Sequence, residues 1–126
     1  MGLPAAKEGD RVEAIDTHIV LVDVVPTPLP HPFNGTLLEG LSTNVRIMGR
    51  SAATVESIAR NIPPHIPEGE SFVKPPTNMG RVLTGSLTVR INGKAAARSA
   101  DTVLTCNDPV DLPVGKIIAL GTVLIG

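Results

Sequence analysis

Short segments of alternating apolar and polar residues are the clearest pattern in this chain. Residues 45–47 (Val-Arg-Ile) and 87–91 (Leu-Thr-Val-Arg-Ile) alternate in this way, which is typical of strands that bury one face. Residues 122–125 (Thr-Val-Leu-Ile) form a third candidate strand, and Asn92-Gly93 is a strong hairpin signal. The pattern predicts three short strands, the second of them leading into a tight turn.

Proline-rich stretches lie between the candidate strands, at residues 26–30, 63–64 and 75–76. Such stretches favour extended, irregular backbone, so we predict loops there. Residues 51–62 are the one candidate for a short helix. The chain has 12 glycines and 12 prolines in 126 residues, and both residue types interrupt helices. We therefore predict an all-β, loop-rich fold.

The second informative feature is an internal repeat. When residues 42–53 are placed over residues 86–97, seven of the twelve positions are identical. Each copy consists of a strand, a turn with glycine and a corner of two alanines. A third corner, Ala5-Ala6, opens the chain, and residues 122–126 at the other end supply its strand. Chance similarity of short aliphatic strands is the alternative, but the three copies together predict a pseudo-threefold arrangement with adjacent termini.

Composition narrows the classes of function. Apolar residues make up 42% of the chain but aromatic residues only 2%, so the core must be aliphatic. A formal net charge of −1 argues against a general binder of nucleic acid or anionic membrane. The N-terminus has no basic segment followed by an apolar one, so no signal peptide is expected. We expect one domain over residues 1–126.

Four residues have metal-ligand chemistry. His18 and His65 each lie eight residues after the end of a corner, and Cys106 lies five after the third corner. His31 follows in a proline-flanked stretch, and Asp16 could orient an imidazole. Three imidazoles and one thiolate suit a closed, structural zinc site, and they favour zinc over iron. The alternative is three unrelated histidines and one buried cysteine.

These features together resemble the PAAR-repeat proteins, named for a Pro-Ala-Ala-Arg motif. Residues 4–7 (Pro-Ala-Ala-Lys) carry the resemblance, as do residues 89–101, with their strand, Asn-Gly turn, corner and aspartate. Lys7 stands where the family has arginine, and Ala95 stands where proline is usual. The resemblance implies a short β cone of three pseudo-repeats with one zinc ion near its point, held here by His18, His31, His65 and Cys106.

The resemblance also implies a non-enzymatic function. Members cap the trimeric, VgrG-like spike of type VI secretion and related contractile injection systems, including phage-tail-like particles. The expected role is therefore a single tip on a trimer, assembled in the bacterial cytoplasm, exported with the particle and in brief contact with the target membrane. We expect no extension domain, and any effector cargo would be separate. Arg46 and Arg90 occupy equivalent outward positions, where they either contact the spike or face solvent.

Two other functions remain open from the sequence. A small zinc hydrolase could use an acid near the ligands, such as Asp16, Glu68 or Asp108, as a general base. Those acids are otherwise ordinary solvated loop charges. A metal-free β interaction module that plugs a trimeric partner is the third possibility.

Overall fold

The protein is built from strands, short at one end of the molecule and long in the middle. The computed structural model describes residues 2–126, and within them it contains no helix and therefore no helix able to span a membrane. The strands are β1 (Leu3–Pro4), β2 (Arg11–Val22), β3 (Val25–Glu39), β4 (Arg46–Ile47), β5 (Arg50–Ser51), β6 (Ile58–Asn61), β7 (Met79–Val82), β8 (Arg90–Ile91), β9 (Lys94–Ala95), β10 (Thr102–Thr105), β11 (Leu112–Ile118) and β12 (Leu124–Ile125). The all-β prediction is confirmed.

Six strands form a closed antiparallel barrel in the order β10-β11-β2-β3-β6-β7. The longest pairing is the β2–β3 hairpin, in which twelve residue pairs run from Arg11↔Thr36 to Val22↔Val25. The two residues of its turn both have positive φ, 49° at Asp23 and 58° at Val24. A two-residue hairpin turn of this kind usually contains glycine or asparagine, so the β-branched Val24 is an unusual occupant.

The predicted loop at residues 26–30 is wrong, because these residues belong to β3. The prolines at 26, 28, 30 and 32 alternate with Thr27, Leu29, His31 and Phe33. In an antiparallel pair, alternate residues direct their backbone N–H groups away from the partner strand. The four prolines share that parity, and β6 pairs with β3 only from Gly35 onward. Their missing N–H groups therefore fall on an unpaired edge, where proline is tolerated in a sheet.

The barrel interior is filled around one aromatic ring. Phe33 is 1% exposed and belongs to a cluster of small and aliphatic side chains. Its ring lies where side chains at Gly35 and Gly80 would be: a Cβ at Gly35 would lie 2.5 Å from Phe33 Cε1, and one at Gly80 would lie 3.3 Å from Cζ. These two glycines therefore make room for the phenylalanine.

Three corners close one end of the barrel, at residues 5–10, 52–57 and 96–101. Their alanines form a closed ring of backbone hydrogen bonds, in which Ala6 N–H donates to Ala97 O, Ala97 N–H to Ala53 O, and Ala53 N–H to Ala6 O, each at 2.9–3.0 Å. All three alanines are fully buried. The small alanine side chains leave room for the three backbones to approach this closely. We call this arrangement the corner ring.

Each corner is also capped by its own last residue. Asp10 Oδ2 accepts from Lys7 N–H at 2.9 Å, and Asp101 Oδ2 accepts from Arg98 N–H at 2.7 Å. In the remaining corner, Ser57 Oγ accepts from Thr54 N–H at 3.0 Å. A short polar side chain three residues on satisfies a backbone donor in every case.

Three two-stranded ribbons lie on the other side of the corner ring: β4–β5, β8–β9 and β1–β12. We call them the base ribbons. Each contributes one isoleucine to a second apolar cluster, and Ile47, Ile91 and Ile125 are 6–8% exposed. The predicted Asn92-Gly93 turn is confirmed, with φ of 54° and 80°. The predicted strands at 45–47, 87–91 and 122–125 are present but shorter, as β4, β8 and β12.

The predicted helix at residues 51–62 is wrong. This segment finishes β5, passes through the second corner and enters β6. Its helix-compatible composition is overridden by tertiary hydrogen bonds, since Ala53, Val55 and Glu56 donate their backbone N–H groups to distant carbonyls, those of Ala6, Ala95 and Val82. The proline pairs at 63–64 and 75–76 lie outside strands, as predicted.

Candidate metal centre

The His and Cys candidates lie at the opposite end of the barrel from the corner ring. Side chains on one face of a strand are two residues apart, so Asp16 and His18 both point inward from β2. Cys106 comes directly after β10, and His65 lies in the segment between β6 and β7. Three parts of the chain, far apart in sequence, therefore supply side chains to one place.

The structure brings four potential ligands together: Asp16, His18, His65 and Cys106. One ligand atom from each lies within 4.8 Å of all the others. Cys106 Sγ is 3.7 Å from His18 Nε2 and 3.5 Å from Asp16 Oδ2. Asp16, His18 and Cys106 are at most 2% exposed, and so is the side chain of His65. We call this group the His–Cys cluster; it could bind a metal ion.

Asp16 is the hub of the cluster's hydrogen bonds. Its Oδ2 accepts from His65 Nε2 at 2.9 Å, and its Oδ1 accepts from the Thr105 hydroxyl and, at 3.4 Å, from Asn107 Nδ2. A fully buried carboxylate is costly unless it is paired and hydrogen-bonded, and here both oxygens have partners. The segment 105–107 thus holds Asp16 from one side while His65 approaches from the other.

Two side chains of the cluster have pKa values shifted from their ordinary range. Burial lowers the pKa of His18, and the nearby His65 lowers it further, so the imidazole stays neutral and able to ligate. Burial raises the pKa of the Cys106 thiol to about 12, with Asp16 adding to the rise. A bound cation would reverse the second effect, because coordination deprotonates a thiol.

One buried side-chain nitrogen has no hydrogen-bond partner among the described residues, and it belongs to His18. His18 Nδ1 is within 3.5 Å of Asp108 Oδ2, but the two do not form a hydrogen bond. Asp108 Oδ2 instead accepts from Ile19 N–H at 2.9 Å. The other ring nitrogen, Nε2, is the one nearest Cys106 Sγ, and imidazole, thiolate and carboxylate together are a donor set that zinc accepts. The residues present therefore fit a metal ion.

His31 lies beside the cluster but its nitrogens are otherwise engaged. It is directly opposite Asp16 in the β2–β3 pairing, and its ring centre is 5.5 Å from that of His18 and 5.7 Å from that of His65. Its Nδ1 donates to Leu29 O at 2.9 Å, and its Nε2 accepts from Glu68 N–H at 3.2 Å. In this arrangement His31 forms a wall of the site, and Asp16 is the fourth residue grouped with His18, His65 and Cys106.

The surroundings of the cluster are tightly packed. The cavity that borders His18, Cys106 and Asp108 has a volume of about 10 Å³. That is room for no more than about one water molecule. Of the acids considered as general bases, Asp16 is buried within the hydrogen bonds above, Asp108 flanks His18, and Glu68 is exposed.

The sequence named His18, His65 and Cys106 as candidate ligands, and the structure brings them together; it indicated Asp16 as an orienting residue or a general base, but not as a fourth ligand. The spacing Asp16-x-His18 on one strand carried the missing signal, because residues two apart share a face. Thr105 and Asn107, which hold Asp16, had no comparable signal in the sequence.

No known family model matches this chain, and no curated protein sequence matches it.

Proposed function

We propose that this protein is a PAAR-like tip that caps the trimeric spike of a contractile injection system. The corner ring carries the proposal. Three corners make the same backbone hydrogen bonds to one another, and the three base ribbons pair in the same register: Arg46↔Ser51, Arg90↔Ala95 and Leu124↔Pro4. A single chain with three such units presents one face to each subunit of a trimer, so the body is interpreted as three pseudo-repeats of one unit.

The His–Cys cluster supports the same proposal. A tapering apex has little apolar interior, so a metal ion that ties three segments together would supply stability that packing does not. We propose that His18, His65 and Cys106 are ligands of one structural zinc ion. Asp16 or His31 would complete the set. Metal analysis of Asp16→Ala and His31→Ala decides between them, since only loss of the true ligand should lower the zinc content strongly.

The hydrolase alternative is less well supported by the packing. A catalytic zinc keeps one position open to water and substrate, whereas the cluster here is enclosed and borders a cavity of about 10 Å³. The metal-free module is distinguished from the proposed tip by the metal content of the purified protein, because such a module would contain no stoichiometric metal.

The test is assembly with a spike. Trimeric β-helical end fragments of the spike proteins encoded in the same genome would be mixed with this protein and studied by native mass spectrometry. We expect one chain per trimer, as a pseudo-threefold monomer on a threefold axis requires. Three chains per trimer, or no complex with any fragment, would contradict the proposal.

A further inference from the structure

Charge is distributed very unevenly along this nearly neutral protein. The base ribbons and the alanine side of the corner ring comprise residues 2–7, 42–55, 86–99 and 119–126. None of the 12 Asp and Glu residues lies in these segments, although the whole chain has a net charge of −1. Six of its 11 Lys and Arg residues do: Lys7, Arg46, Arg50, Arg90, Lys94 and Arg98. The rest of the molecule is correspondingly acidic.

Two of these six cations are neutralised within the fold. Lys7 Nζ is 3.1 Å from Asp10 Oδ1, and Arg98 Nε is 3.1 Å from Asp101 Oδ2. These pairs belong to the corners, so Lys7 and Arg98 are structural.

The other four cations have no carboxylate partner within residues 2–126. Arg46 and Arg90 each donate to a carbonyl of their own turn, Gly49 O and Gly93 O, at 3.3 Å, and Arg50 donates to Glu8 O at 3.4 Å. All four side chains are exposed on the ribbons: Arg46, Arg50, Arg90 and Lys94. Carbonyl contacts orient a guanidinium but leave its charge free for a partner.

Exposed apolar side chains lie among these cations. Leu87 is 96% exposed, Leu124 60% and Met48 54%. Apolar patches with arginines are typical of protein interfaces, whereas a purely polyanionic ligand would need no apolar contacts. The combination favours a folded protein partner over nucleic acid or a lipid surface.

The ribbons differ from one another in one respect. The cationic pairs occupy matching places in two of them, Arg46 with Arg50 and Arg90 with Lys94. In the third ribbon, leucines Leu124 and Leu3 stand at those places. Three identical subunits would therefore meet two cationic ribbons and one apolar ribbon.

We infer that the partner of the base ribbons is a trimeric end surface that carries exposed carboxylates beside apolar groups, held in part by Arg46, Arg50, Arg90 and Lys94. This inference rests on the proposed function and specifies its partner chemically. Complementary charge of this kind speeds association and selects partners, and it makes binding dependent on salt.

The experiment measures affinity for the trimeric spike end fragments as salt and charge are varied. We expect the Kd to rise at least about tenfold between about 50 mM and about 500 mM NaCl. The double variant Arg46→Glu/Arg90→Glu should weaken binding at low salt at least about tenfold, and replacing the fragment's end carboxylates by amides should do the same. Arg46→Gln/Arg90→Gln should have an intermediate effect, and it provides a second variant if the charge reversal impairs folding.

The matched control is Arg11→Glu/Arg81→Glu, which changes the net charge equally on the exposed barrel wall. Its Kd should stay within about threefold of wild type. Tight binding that ignores salt and charge reversal would overturn the inference but leave the proposed function standing. Absence of binding to every fragment would overturn both. Charge-dependent binding to heparin alone would show a general polyanion site and would also overturn the inference.

Discussion

At the corner end of the barrel three chain segments do the same thing, whereas at the His–Cys end each does something different. Ala6, Ala53 and Ala97 exchange equivalent hydrogen bonds and are equally buried. At the other end, β2 supplies Asp16 and His18, a loop supplies His65, and the residue after β10 supplies Cys106. The corner end uses one set of hydrogen bonds three times, and the His–Cys end combines different side chains from three segments.

This difference follows from the kinds of side chain that each end buries. The corner end is closed by alanines and isoleucines, and each of the three segments contributes them at corresponding positions. The His–Cys end buries polar groups whose partners must be specified one by one, with Thr105 and Asn107 on Asp16 and Asp108 beside His18. The three corners therefore share one set of short-range contacts, whereas the His–Cys end needs a different contact for each buried polar group.

The largest expected effect is removal of the metal. Chelation, or substitution Cys106→Ala or His65→Ala, should eliminate about one bound zinc per chain and lower the free energy of unfolding by on the order of 5 kcal/mol. That is less than the about 10–16 kcal/mol of zinc-finger peptides, because the barrel core and the corner ring contribute packing and hydrogen bonds that do not involve the ion. Elemental analysis and denaturant unfolding measure the two quantities.

The control for this comparison is Lys74→Ala, which changes a side chain bordering the same cavity without removing a potential ligand. It should retain the metal and nearly all of the stability. If wild-type protein is well folded and contains no stoichiometric metal, the ligand assignment is wrong, and both ends are held by packing and hydrogen bonds alone.

The second effect concerns Phe33, which lies between the two ends. Phe33→Ala should cost about 3–5 kcal/mol, since it empties a space that Gly35 and Gly80 leave for one ring. The Phe33 ring centre is 6.1 Å from that of His65, so the loss should also weaken metal binding. Thermal unfolding with and without chelator would measure both effects. A loss below about 1 kcal/mol would mean that the barrel is not packed around this ring.

Short strands and turns at the corner end were better predicted from the sequence than the long strands and contacts of the His–Cys end. The corners, the Asn92-Gly93 turn and the short strands followed from local signals, because small residues and turns act within a few positions. The long hairpin did not. In β2 the inward positions include Asp16 and His18, so polar residues stand where the hydrophobic alternation should continue. In β3 the alternating prolines imitate a loop, and only the unpaired edge permits a strand there.

The candidate site was predictable in part for the same reason. Equal distances from the corners indicated His18 and His65, but the fourth position depends on tertiary contacts. His31 and Asp16 are paired opposite each other in the β2–β3 register. His31 is engaged by hydrogen bonds with Leu29 and Glu68, and Asp16 is held at the cluster by Thr105 and Asn107. Such contacts leave no pattern in a single sequence.

A third test asks whether the three isoleucines of the base cluster contribute equally to stability. Ile47→Ala, Ile91→Ala and Ile125→Ala remove equivalent side chains from the base cluster. Each should cost about 2–3 kcal/mol, at the low end for isoleucine because these residues are 6–8% exposed. Equilibrium unfolding should give three values within about 1 kcal/mol of one another. Values that differ by more than that would show that the shared hydrogen bonds conceal unequal packing.

The smallest effect is expected at the corner caps. Asp10→Ala and Asp101→Ala should each cost about 1–2 kcal/mol, because each leaves a backbone donor, Lys7 N–H or Arg98 N–H, without its acceptor. The asparagine variants at the same positions keep an oxygen in place and should recover about half of that loss. Unfolding in denaturant measures the differences, with metal content as the control, since the corners lie far from the His–Cys cluster and should leave it loaded. If asparagine proves as costly as alanine, the carboxylates act through their ion pairs with Lys7 and Arg98, and Ser57, which has no such pair, would not be their equivalent.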